Sequence, residues 1–90
     1  MPVYVDKARH RYGRMIMCHM LADTPEELRA MADAIRVDRR HYQDKASSPH
    51  YDICKAKRAR AVELGAIECT NRELVAVIRR LRKLKQLQGL

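Results

Sequence analysis

Apolar residues first appear along this chain as short, nearly unbroken runs, and later at helical spacing. Pro2-Val-Tyr-Val-Asp6 is a brief run ending in an acid, and it predicts a strand. Met15-Ile-Met-Cys-His-Met-Leu-Ala22 is apolar apart from His19 and predicts a strand buried on both faces, a short helix being the alternative that periodicity leaves open. Between them, Lys7 to Arg14 reads as a basic connection with Gly13 as its turn residue. After Ala22 the period changes. Leu28, Met31, Ala32 and Ile35 share one helical face, and Asp23-Thr-Pro-Glu-Glu27 supplies the start: Thr24 as N-cap, Pro25 as first helical residue, Glu27 as capping-box partner. This helix is predicted from about Pro25 to Arg36.

Val37 to Gln43 reads as a single short helical turn, and Asp44 to Pro49 as a loop. His50-Tyr-Asp-Ile53 predicts a third strand, followed by a helix over about Lys55 to Leu64 that stops at Gly65. Ala66 to Cys69 predicts the next strand. Thr70-Asn-Arg-Glu73 is a second capping box. It opens a last helix, Asn71 to about Gln88, with Leu74, Val77, Ile78, Leu81 and Leu84 as its apolar stripe. The predicted fold is α/β: a small single-layer sheet of about four strands with helices packed on it, in one domain spanning 1–90. It contains a βαβ unit with parallel strands over 50–69, and ends in a basic amphipathic helix over 71–90.

Composition adds two constraints. The 90 residues include no Phe and no Trp, so core volume has to come from Leu, Ile, Val, Met and Ala, and homo-oligomerisation would help so small a core. Net charge is +8 and uneven: residues 1–53 hold nine Lys/Arg against eight Asp/Glu, whereas residues 54–90 hold ten against three. That bias points to an anionic partner, a nucleotide or nucleic acid, with solubility as the plainer alternative. Three cysteines without CxxC spacing argue against a disulfide framework and fit a reducing cytosol. With no apolar leader and no apolar run near the roughly 18 residues of a membrane helix, a cytoplasmic protein without membrane contact is expected.

Candidate chemistry gathers around the His50 strand. Alternation puts His50 and Asp52 on one face and Tyr51 on the other. Asp6 ends the first strand and Asp23 follows the second, so strands running parallel to 50–53 would bring these acids to one edge, where ligands of parallel sheets bind. Asp6, His19, Asp23, His50 and Asp52 therefore form one candidate cluster. Such a set suits a divalent metal, and His50, Asp52, His19 and Asp6 also suit acid and base roles in phosphoester chemistry. The plainer readings are helix capping by Asp23 and Asp52, and a core histidine at position 19. Lys55, Lys57 and Arg58, at the start of the next helix, are candidates for phosphate binding, or else a solvated face. The last helix reads as a packing or dimer face before a nucleic-acid face, because none of the four tyrosines lies in the basic tail to stack a base.

Val5-Asp6, Cys-His-Met-Leu-Ala-Asp-Thr (18–24), Glu27-Leu28, Tyr42-Gln43, His-Tyr-Asp-Ile (50–53), Lys57-Arg58 and Gly65-Ala66 together resemble a small bacterial and phage family catalogued as a domain of unknown function. The resemblance covers roughly residues 3–70 and leaves the basic tail after Asn71 outside it. Family members often carry Trp near Cys18 or Tyr42 and Gly near Val37, where this chain departs. The resemblance implies a bacterial or phage cytosolic protein and brings no activity with it. The residues lead first to a phosphate-recognising module for a nucleotide or nucleic acid. The alternatives are a metal-assisted or acid/base phosphodiesterase or nuclease, and a homo-oligomeric interaction protein that binds an acidic partner.

Overall fold

The computed structural model describes residues 2–7, 10–12, 15–43 and 49–88. Strands β1 (Val3–Asp6), β2 (His10–Tyr12), β3 (Met15–Ala22), β4 (Tyr42–Gln43), β5 (His50–Cys54) and β6 (Ile67–Cys69) form one sheet, with helices α1 (Pro25–Ala34), α2 (Lys55–Glu63) and α3 (Asn71–Gln88). The four expected strands and three expected helices all form. Two short strands are added: β2, inside the segment read as a connection, and β4, after a 3₁₀ turn at Arg39–His41. Gly13 and the loop 44–48 lie outside the described residues.

The strands lie in the order β4-β5-β3-β1-β6, with β2 also paired to β3. β3 is antiparallel to both β1 and β5, and β1 is parallel to β6. It follows that β5 and β6 point the same way, as a βαβ unit requires, but β3 and β1 stand between them. The condition for gathering the acids at one edge, that both early strands run with β5, is met by β1 and not by β3. β3 ends where β1 begins, and the Asp23 N–H donates to the Pro2 carbonyl at 3.4 Å.

Alternation along the strands sends residues to two faces. Val3 and Val5 of β1, Cys18 and Met20 of β3, and Tyr51 and Ile53 of β5 pack with Leu28, Ala32 and Ile35 from α1 and its end, and with Ala61 of α2. Tyr4, Leu21 and Cys69 face the other way and meet Leu74, Val77 and Ile78 of α3. The helices thus cover both faces. At α1 only half of the expected capping box forms: Thr24 Oγ1 accepts from the Glu27 N–H, but Glu27 Oε2 is buried without a hydrogen bond among the described residues, whereas Thr70 and Glu73 exchange both capping-box bonds. α1 and α2 each end in a Schellman pair: Val37 N–H to Ala32 O with Arg36 N–H to Asp33 O, and Ala66 N–H to Ala61 O with Gly65 N–H to Val62 O. The left-handed residue is Gly65 in α2 (φ 106°) but Arg36 in α1 (φ 61°). Among the described residues, no helix is long and apolar enough to cross a membrane.

Candidate functional site

Strand register assembles most of the predicted cluster. Val5 stands opposite Met20, and continuing that pairing sets Asp6 opposite His19; on the other edge of β3, His19 stands opposite Asp52. Asp6, His19 and Asp52 therefore form a row across β1, β3 and β5, with His50 on the same face two residues along β5. α3 packs over β1 and β6, and the His19, Asp52 and His50 side chains remain 35, 29 and 18 % exposed.

Within the row, Asp6 is buried and serves His19 twice. Its Oδ1 accepts the His19 backbone N–H at 2.8 Å, and its Oδ2 lies 2.6 Å from Nδ1. A carboxylate can only accept, so Nδ1 carries the proton and the Nε2 lone pair of the neutral ring points away from Asp6. The hydrogen bond to Asp6 is the main cause that raises the His19 pKa above 6.5, partly opposed by burial, with the Asp6 and Asp52 charges adding to the rise.

His19 Nε2 lies 3.8 Å from Asp52 Oδ1, and His50 Nε2 lies 3.4 Å from the same oxygen. The two imidazoles meet edge to face, with centroids 5.2 Å apart. Asp52 Oδ1 is shielded from solvent and accepts no hydrogen bond among the described residues. One ligand atom from each of His19, His50 and Asp52 can be chosen so that all lie within 4.8 Å of one another. Tetrahedral bonds of about 2.0–2.2 Å would hold such atoms about 3.3–3.6 Å apart, so modest side-chain adjustment suffices to close the set on an ion. The shielded, unbonded carboxylate oxygen between two ring nitrogens is what a cation would satisfy, and the Asp6–His19 contact is the outer-shell partner that metal-binding histidines use.

Asp23 does not join this group. It lies at the opposite end of the sheet, where its Oδ1 accepts from Tyr4 Oη at 3.1 Å and from Arg80 Nη2 at 2.6 Å. Arg58 sits on the α2 side of the sheet, away from the cluster face; its Nε donates to the Asp6 carbonyl at 2.7 Å and its Nη1 to Glu68 Oε1 at 3.0 Å. Lys55 is exposed, and Lys57 lines a cleft that also reaches Asp52. Arg36, Arg40 and His41 line the same cleft. Sequence reasoning ends the first helix at Arg36 and puts Arg40 and His41 in a short turn, and it singles out none of them for binding, although the basic run Arg39-Arg40-His41 is a visible signal.

A family model described as "Protein of unknown function (DUF4031)" matches residues 3–81. It reaches further than the resemblance over 3–70, taking in the part of α3 whose Leu74, Val77 and Ile78 pack on the sheet. No match was found among curated proteins or among solved structures.

Proposed function

The chain belongs to the DUF4031 family of proteins of unknown function, and from that premise we propose that it binds a divalent metal ion through His19 Nε2, His50 Nε2 and Asp52 Oδ1. The observation that carries this reading is Asp52 Oδ1, shielded and without a hydrogen bond among the described residues, placed 3.4 and 3.8 Å from two imidazole nitrogens. Two imidazoles and one carboxylate favour zinc or a late first-row metal over calcium or magnesium, which prefer all-oxygen sets.

Three protein ligands leave a coordination position open, the arrangement of catalytic rather than structural centres. A metal in such a site supplies an activated water for hydrolysis at neutral pH. The residues divide the remaining work. Asp6 holds the proton on Nδ1 of His19, so that the ligating lone pair is on Nε2, and Arg58 braces the Asp6 backbone from behind. The surplus of basic residues favours an anionic substrate, so metal-assisted hydrolysis of a phosphoester is the activity class to assay. A metal-free phosphate module centred on Lys55, Lys57 and Arg58 has less geometric support, since Arg58 is engaged by Asp6 and Glu68.

Native mass spectrometry with zinc and manganese titration, run beside His50→Ala, tests the reading. One ion per chain, with affinity falling about tenfold or more in His50→Ala, is expected for the loss of one of three ligands. Uptake that is absent in the parent, or equal in the variant, would remove the centre. Phosphodiesterase assays on the same samples then decide whether the bound ion is catalytic, and the oligomeric state is read from the same spectra.

A further inference from the structure

The cleft next to Asp52 holds cations in a place that the metal reading does not use. β4 pairs only with the first half of β5, Tyr42 with Tyr51 and Gln43 with His50. Beyond it, the Asp52–Cys54 half of that edge and the segment 36–41 border a cavity of about 610 Å³. This volume falls in the range of about 300–1,000 Å³ typical of small-molecule sites. Arg36, Arg40 and His41 line it from the segment, and Lys57 from the first turn of α2.

Two carboxylates also border the cleft, and both have other work. Asp38 accepts the Arg40 backbone N–H at 2.9 Å and lies 4.0 Å from Arg40 Nε, while Asp52 belongs to the metal set. Arg39, Arg58, Arg60 and Arg80 are each paired with a carboxylate. Arg36 and Lys57 make no side-chain hydrogen bond or ion pair among the described residues. Arg36 also keeps a left-handed backbone, φ 61°, that a glycine would adopt with less strain. Strain retained at a cleft-lining arginine suggests a use for its guanidinium. The first turn of α2 adds N–H groups that have no side-chain cap from Cys54, itself a cleft residue.

We propose that this cleft binds the phosphate group of a small phosphate ester, gripped by Arg36, Arg40 and Lys57 with His41 beside them, and presents it to the Asp52 side of the metal centre. The proposal rests on the metal reading for the ester's orientation, not for its binding. Guanidinium forks match phosphate oxygens bidentately, and the ammonium adds a point charge. Among the described residues that line the cleft there is no Tyr, which favours recognition of the phosphate over a stacked base, and Met17, Val37 and Ile53 offer apolar wall to the rest of the molecule.

The test uses the full chain with one equivalent of manganese and three probes: inorganic phosphate, a nucleoside 5′-monophosphate and a single-stranded oligonucleotide. Line broadening of ³¹P by manganese reports a phosphate held near the centre, and calorimetry gives the affinities. Arg36→Gly retains the fold, because glycine suits that backbone, and should weaken monophosphate binding about ten- to a hundredfold, the loss of one charge-assisted contact. Its metal affinity should equal the parent's. Unchanged monophosphate affinity in Arg36→Gly overturns the proposal, as does an oligonucleotide that outcompetes both small probes. Metal uptake without any phosphate broadening also overturns the cleft, whereas phosphate binding without metal uptake supports the cleft and removes the centre.

Discussion

Asp6→Asn separates the metal reading from a purely structural one. In the parent, Asp6 Oδ1 accepts the His19 backbone N–H at 2.8 Å and Oδ2 accepts from Nδ1 at 2.6 Å. The backbone N–H can only donate, so an asparagine has to keep its carbonyl oxygen there and turn its NH₂ toward Nδ1. Nδ1 must then become the acceptor, which moves the neutral ring's proton to Nε2, where it blocks ligation. A carboxylate-to-amide change beside a histidine is known to impose the wrong tautomer in this way. Exchanging charge-assisted bonds for neutral ones should cost about 1–2 kcal/mol of stability. For a chain of this size, each kcal/mol lowers the Tm by about 4–8 °C. Metal affinity should fall about 10–100-fold, the usual effect of losing an outer-shell partner. Long-range ¹H–¹⁵N correlation of the histidine rings reads the tautomer, metal titration the affinity, and thermal melting the stability. Parent-like metal affinity in Asp6→Asn, or a His19 that still carries its proton on Nδ1, would refute the reasoning. A lowered Tm alone would leave Asp6 only a structural part.

Three further outcomes follow from particular contacts. The His19 pKa is raised above 6.5 chiefly by its hydrogen bond to Asp6. In chelator-treated protein, the stability this protonated ring contributes should be fully present below pH 6.5 and lost as pH rises through the higher folded pKa, with metal uptake strengthening over that same interval; melts and titrations across pH check both signs. Asp23→Ala should leave metal affinity at the parent value, because Asp23 bonds Tyr4 and Arg80 at the other end of the sheet, and denaturant unfolding should register about 1 kcal/mol or less for so exposed a pair. A chain ending at Leu81 should keep its fold by circular dichroism, since Leu84 and Leu87 are 47 and 61 % exposed, whereas a chain ending at Asn71 uncovers Tyr4, Leu21 and Cys69 and should unfold.

The family match and the packing agree on where the folded unit needs α3. The matched residues end at position 81, and the buried contacts of α3 come from Leu74, Val77 and Ile78. Beyond them Arg80 is tied to Tyr4 and Asp23, and Leu84 and Leu87 are exposed.

Helix limits were legible in the chain because their causes are local. The Thr24–Glu27 and Thr70–Glu73 signals act within one turn, and Gly65 stops α2 through its own backbone; α3 runs over Asn71–Gln88, the span its apolar spacing predicts. The strands were legible as apolar runs, and alternation alone put His50 beside Asp52 on one face. Strand order and direction were not legible, because pairing joins segments far apart in sequence. Only the antiparallel insertion of β3 between β1 and β5 sets His19 between Asp6 and Asp52 and carries Asp23 to the far end. Arg58 reads along α2 as an open cation, yet the folded chain spends it on Asp6 and Glu68. The cleft is likewise tertiary: β4 is too short to cover the end of β5, and the left-handed residue after α1 is an arginine. Short-range steric and hydrogen-bonding preferences can be read residue by residue, whereas a site formed by four segments exists only once the sheet has brought them into register.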